Sequence, residues 1–308
     1  MRAGINALTV AFVVGVLAGL ILTPDGRAWL RHPTLMLGGA ANASAPAAVP
    51  VEAAPAVPVP VVAARPAVTP LTTRMARGQL RIGVFGDSMA DGLWAALYRD
   101  LNTEPGVSVT KFSEVSTGLS RYDYVDIQAK TARQLDEHPV DVAVVLFGTN
   151  DAQGISLDGQ VHPFGTDGWK AAYAKRVDDL VGLLRSRDIA VYWVGLPRMK
   201  RESFDARMTL INAVVAERMA ALEVPYIDTV PLTANDAGGY EAYLPTETGR
   251  RTLMRANDGI HMSMAGYLRM GDPVAATLKH DAGLDRPRPQ AASPGPASAA
   301  TPAVSPAA

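Results

Sequence analysis

The apolar run "LRIGVFG" (residues 80–86) stops abruptly at Gly86-Asp87-Ser88, and similar runs recur at 107–113, 140–148, 189–197 and 224–228. The runs at 80–86, 140–148 and 189–197 are largely apolar at consecutive rather than alternate positions, which is the pattern of strands covered on both faces of a parallel sheet. Helical periodicity fills intervals at 89–101, 167–187, 206–223 and 263–280, the last expected to be interrupted or bent near Pro273. The alternation predicts an α/β fold, a single three-layer domain over 78–282. Open α/β sheets keep their ligands at the carboxyl edge of the strands. A serine that ends a strand is exposed at that edge, so Ser88 is a candidate nucleophile. The competing reading is a helix N-cap, a task that both Ser and Asp perform.

The ends of the chain differ from this unit. Residues 5–22, "INALTVAFVVGVLAGLIL", carry no charge over 18 positions, about 27 Å of helix, close to a bilayer core. No small-residue cleavage pattern follows closely, since "TPDGRAWLRHP" comes next and Ala41 to Ala43 lies far downstream. Residues 1–33 are therefore expected to be an uncleaved membrane anchor, with partnership to a membrane through this helix. Arg2 on one side and Arg27 and Arg31 on the other give little charge asymmetry; the expected arrangement is a bacterial inner-membrane helix with the bulk of the chain in the periplasm. Residues 34–77 are rich in Ala and Pro and read as a linker able to reach on the order of 100 Å. Residues 283–308 share the bias and read as a disordered tail.

Composition excludes several functions. A net charge of −1 and a pI near 6.5 leave no basic footprint for nucleic acid. With no cysteine, disulfides, zinc-thiolate sites and a cysteine nucleophile are all ruled out.

A serine hydroxyl needs a neighbouring base, normally a histidine oriented by a carboxylate. Of five histidines, His32 lies beside the apolar segment, His138 and His280 at helix ends, and His162 in a polar loop. His261 stands in "NDGIHMSMAGY", three residues after Asp258 and ahead of a helix. An Asp-x-x-His turn can set a carboxylate against the imidazole and fix its tautomer; the plain alternative is an Asp cap beside a surface histidine. An oxyanion also needs donors. Gly118 in "VSTGLS" permits close approach of a backbone N–H, and Asn150 in "FGTND" follows a strand, with an amide able to point over the same edge. Taken singly, Gly118 reads equally as a turn residue, and Asn150 and Asp151 as turn or cap residues.

As an ordered set, "FGDSMADG", "STGLS", "FGTND" and "DGIH" resemble the four blocks of the SGNH (GDSL-type) hydrolases. The resemblance implies a flavodoxin-like sheet of about five parallel strands and no cofactor. It assigns Ser88 as nucleophile and first oxyanion donor, Gly118 and Asn150 as second and third donors, and His261 as base oriented by Asp258. Met89 replaces a leucine usual in the family, one apolar contact for another, and Ser116 stands where asparagine is common. Asp87 reads as a structural cap. The implied activity is a serine esterase acting on acyl esters, with O-acetyl esters of an envelope or exported polysaccharide favoured by the tether. An O-acyltransferase using the same site, and a non-catalytic tethered binding module, are the alternatives. Segments 152–166 and 229–257 read as long loops that shape a pocket. "RMKRE" (198–202) and "GRRTLMR" (249–255) read either as anion-attracting patches or as solvated surface.

Overall fold

The computed structural model describes residues 68–285. The expected anchor, most of the linker and the tail beyond 285 lie outside the described residues. Among those described, no helix is long and apolar enough to cross a membrane.

The elements run in the order α1 (Leu71–Ala76), β1 (Leu80–Gly86), α2 (Ser88–Leu101), β2 (Val107–Lys111), α3 (Ile127–Glu137), β3 (Val142–Leu146), β4 (Ile155–Leu157) and β5 (Gln160–His162). There follow α4 (Asp167–Ser186), β6 (Ala190–Val194), α5 (Glu202–Leu222), β7 (Tyr226–Ile227), α6 (Val230–Thr233), β8 (Tyr243–Pro245), β9 (Arg251–Leu253) and α7 (Met264–Ala282). Five strands form one parallel sheet in the order β2-β1-β3-β6-β7. That is the flavodoxin-like order, whose switch point lies between β1 and β3. Every residue of β3 is buried, which is why "VAVVL" has no polar alternation. α2 packs on α7, and α4 packs on both α3 and α5, with the sheet between these groups. The result is a three-layer, doubly wound α/β fold.

Several stretches differ from the sequence expectation, among them 127–137, which forms the unanticipated helix α3. α7 runs without a break through Pro273. Proline removes one backbone donor, but Met270, Gly271, Val274 and Ala275 are buried around it, so packing holds the helix continuous. The segments 152–166 and 229–257 carry two small antiparallel hairpins, β4–β5 and β8–β9, and the helix α6. α1 falls in the stretch read as linker: Leu71 is buried, and Arg74 is buried while bonded to Asp141 Oδ1 at 3.1 Å and to Asp188 Oδ2 at 3.0 Å. A buried guanidinium needs such partners, and they fasten the helix to the domain.

Candidate active site

β1 ends at Gly86, and Asp87 caps α2: its Oδ1 accepts the Met89 N–H at 2.9 Å. The cap is thus Asp87 rather than Ser88, which leaves the Ser88 hydroxyl free at the carboxyl edge. His261 Nε2 lies 2.8 Å from Ser88 Oγ, and His261 Nδ1 lies 2.6 Å from Asp258 Oδ2. The structure therefore brings Ser88, His261 and Asp258 into one hydrogen-bonded line, although 173 residues separate the serine from the histidine.

The base sits on a turn whose shape comes from Asp258 itself. Its Oδ1 accepts the N–H groups of Ile260 at 2.9 Å and His261 at 3.0 Å. Gly259, between Asp258 and Ile260, has φ +71°, and a Cβ there would meet Lys200 Cβ at 2.3 Å; only glycine meets both demands. Burial alone would raise the Asp258 pKa, but the His261 side chain and those two N–H groups outweigh it and hold the carboxyl down at about 2. It is ionised wherever the imidazole needs orientation.

Behind the turn lies Arg255, fully buried although its segment read as a charged patch. Its guanidinium donates to the carbonyls of Arg198, at 2.5 Å, and Ile260, at 2.8 Å, and stands over the Tyr240 ring at 4.8 Å. Arg198 of "RMKRE" is paired with Asp205 at 2.6 Å. These two cations are structural rather than free to attract a ligand.

On the other side, the loops after β2 and β3 meet. Asn150 Nδ2 donates to the Thr117 carbonyl at 2.9 Å, which uses one of its two amide hydrogens. Among the described residues no acceptor takes the Gly118 N–H, and the Ser88 N–H opens α2, where first-turn donors have no intrahelical partner. Asp87 ties these loops to the nucleophile: its Oδ2 accepts the Gly148 N–H at 3.2 Å, the Thr149 N–H at 3.0 Å and Thr149 Oγ1 at 2.7 Å. Burial pushes the Asp87 pKa up to about 6 against these bonds, with the Asp151 charge adding to the rise. Asp151, which the sequence offers only as a turn residue, is fully buried and bonded to Ser120 and Tyr173. Ser116 adopts φ +64°, a left-handed conformation that asparagine accepts more easily than serine.

The remaining described histidines lie elsewhere: His138 closes α3, His162 ends β5, and His280 pairs with Asp285 at 3.0 Å in the last turn of α7. A groove of about 1080 Å³ lies between the β8–β9 hairpin and α7, lined by Pro245, Met254, Leu268 and Arg269 among others. Ser88, His261 and Asp258 do not line it.

The fold and rim thus define a doubly wound α/β protein with a Ser-His-Asp constellation at its switch point. Residues 81–277 match the family described as "Protein of unknown function (DUF459)", and the chain belongs to that family. No curated protein matches it. Similar solved structures include a carbohydrate acetylesterase family member from Sinorhizobium meliloti, 14% identical with TM-score 0.47, covering 67% of this chain and 100% of that one. A GDSL-like lipase from Bacteroides thetaiotaomicron is 14% identical with TM-score 0.43, covering 65% and 88%. The psychrotrophic esterase EstA from Pseudoalteromonas sp. is 10% identical with TM-score 0.45, covering 65% and 97%. With identities this low, the site residues themselves must carry the functional reading.

Proposed function

We propose that the protein is a serine esterase of the SGNH type. The observation that carries this reading is the pair of contacts on His261, 2.8 Å to the Ser88 hydroxyl and 2.6 Å to the Asp258 carboxylate. With Asp258 ionised, the imidazole keeps its proton on Nδ1 and leaves Nε2 as the acceptor. Ser88 Oγ attacks the ester carbonyl while its proton passes to Nε2. The oxyanion forms against the N–H groups of Ser88 and Gly118 and the free amide hydrogen of Asn150. Collapse expels the alcohol with the proton returned by His261 and leaves an acyl-enzyme. Water, deprotonated by the same nitrogen, attacks it and releases the acid. The His261 and Asp258 side chains keep 35% and 46% of their exposure, so water has access to the acyl-enzyme.

The substrate and location in this reading are O-acetyl esters on an envelope or exported polysaccharide, met outside the inner membrane. Their support is the uncharged run at 5–22 and the Ala/Pro-rich stretch that follows. Ser88→Ala tests the activity: hydrolysis of p-nitrophenyl acetate by the purified protein should fall by about 10³-fold or more. A variant that keeps the wild-type rate would leave a binding module rather than an enzyme.

A further inference from the structure

Three groups meet on the buried carboxylate of Asp151. Oδ1 accepts the Ser120 N–H at 2.8 Å and the Ser120 hydroxyl at 2.9 Å, and Oδ2 accepts the Tyr173 hydroxyl at 2.9 Å. Asp151 is 0% exposed, so protein donors, the Leu119 N–H among them, stand in for its water. The same Oδ1 packs against the Gly118 backbone, where an added Cβ would lie 2.3 Å away. The residue before it, Asn150, bonds the Thr117 carbonyl at 2.9 Å. Two cross-links therefore run between the loops after β2 and β3, one from Thr117 and one from Ser120, and Gly118 lies between them.

The third partner anchors this pair to the helical layer. Tyr173 stacks on Trp169 at 4.8 Å with the rings 10° from parallel, and Trp169 Nε1 donates to the Gln153 carbonyl at 2.7 Å, two residues beyond Asp151. A buried carboxylate is costly unless its lone pairs are filled, and burial does push the Asp151 pKa up against its Ser120 and Tyr173 donors. A turn needing only a cap would be served by an exposed Asp or Asn. The buried group joins the two segments that would supply the second and third oxyanion donors.

We propose that Asp151, with Ser120 and Tyr173, is a positioning residue that fixes the Gly118 and Asn150 donors relative to each other. The proposal rests on the esterase reading above and deepens it. Misplacing a catalytic group by about 1 Å costs on the order of 10²-fold in rate, and a donor aimed only at the oxyanion acts on kcat rather than KM.

The test is a mutant cycle on the full chain with p-nitrophenyl acetate, with rates expressed per titrated active site. Asp151→Ala should lower kcat by about 10²-fold and leave KM within about twofold. Asp151→Asn, which keeps an acceptor for Ser120 and a polar neighbour for Tyr173, should recover about tenfold of that loss. In an Asn150→Ala background the Asp151→Ala loss should shrink at least about fivefold, because one of the donors it positions is already gone. Equal losses in both backgrounds, a change in KM alone, or no loss would overturn the proposal. Should Asp151→Ala fail to fold, Tyr173→Phe and Ser120→Ala each remove one bond and should each lower kcat by about three- to tenfold. Tyr173→Phe should also speed amide hydrogen exchange at 117–120 by about tenfold or more and leave α7 unchanged. Unchanged exchange at 117–120 would overturn the positioning role even in a protein without esterase activity, a failure that the Ser88→Ala comparison reports separately.

Discussion

On the Ser88 side of the site Asp87 and Asp151 are fully buried and gather donors from sequence-distant loops, whereas on the His261 side Asp258 lies half open to solvent on a turn of its own making. The two sides meet the same need, fixed polar groups at a sheet edge, by opposite means. The donors are held by burial, and their carboxylates are pushed up in pKa. The base is held by local hydrogen bonds to an exposed carboxylate that is pulled down. The pH signatures are therefore opposite. Asp87, raised from 3.8 to about 6, favours the fold most below 3.8, and that contribution is lost as pH rises through about 6. Asp258, lowered from 3.8 to about 2, contributes fully above 3.8 and loses its contribution as pH falls to about 2.

The largest expected effect breaks the base side at its carboxylate. Asp258→Asn keeps an oxygen for the Ile260 and His261 N–H groups, but it no longer favours the tautomer with the proton on Nδ1. A wrong tautomer in such a triad costs up to about 10⁴-fold, and an exposed turn tolerates some of the loss, so kcat should fall by about 10³-fold. The variant should fold, and its stability should no longer decline between pH 3.8 and 2 by the share that Asp258 contributes. A loss of activity below tenfold would show that the turn alone orients His261.

Next in size is Arg255, a deeply buried support of the turn that carries His261. Arg255→Met fits the apolar surroundings but strands the Arg198 and Ile260 carbonyls. Each orphaned buried acceptor costs about 1–3 kcal/mol, so denaturant unfolding should show a loss of about 3 kcal/mol. The rate should fall by about tenfold to 10²-fold, because the turn carrying His261 loses its backing. Full activity at reduced stability would sharpen the comparison differently, showing that Asp258 holds the turn without help.

The same contrast explains what was legible beforehand. Ser88 and His261, which the structure brings to 2.8 Å, stood out in the sequence because their signals are local: a strand that stops at a serine, and a carboxylate three residues before a histidine. The three inner strands of the sheet were legible as unbroken apolar runs, since both their faces are covered, whereas the edge strands β2 and β7 are only partly buried. Asp151 resisted such reading, because a turn aspartate and a buried one have the same neighbours in sequence. Its partners come from "STGLS" and from the middle of α4, where Tyr173 looks like any other residue of an apolar face. Arg255 was misleading for the same reason: its segment also carries Arg250 and Arg251, which are exposed. α3 buries only Ile127, Thr131 and Leu135, a stripe too thin to stand out in "IQAKTARQLDE". The strands of the two hairpins, three residues each, are too short to show any period.

The smallest expected effect tests the donor side where it is least buried. Ser116 is exposed and holds φ +64°, two residues before Gly118, and its carbonyl accepts the Arg121 guanidinium at 3.0 Å. The left-handed region costs a residue with a Cβ about 1–2 kcal/mol, and asparagine is several-fold enriched there because its short amide can bond its own backbone. Ser116→Asn leaves the carbonyl and its Arg121 bond in place, so only the conformational cost changes. Stability should rise by about 0.5 kcal/mol, and kcat should stay within about twofold, because the Thr117, Ser120 and Tyr173 bonds already fix the donors. A gain in kcat beyond that range would mean that the loop moves at Ser116 during the reaction, and that the donor side is less rigid than its buried carboxylates imply.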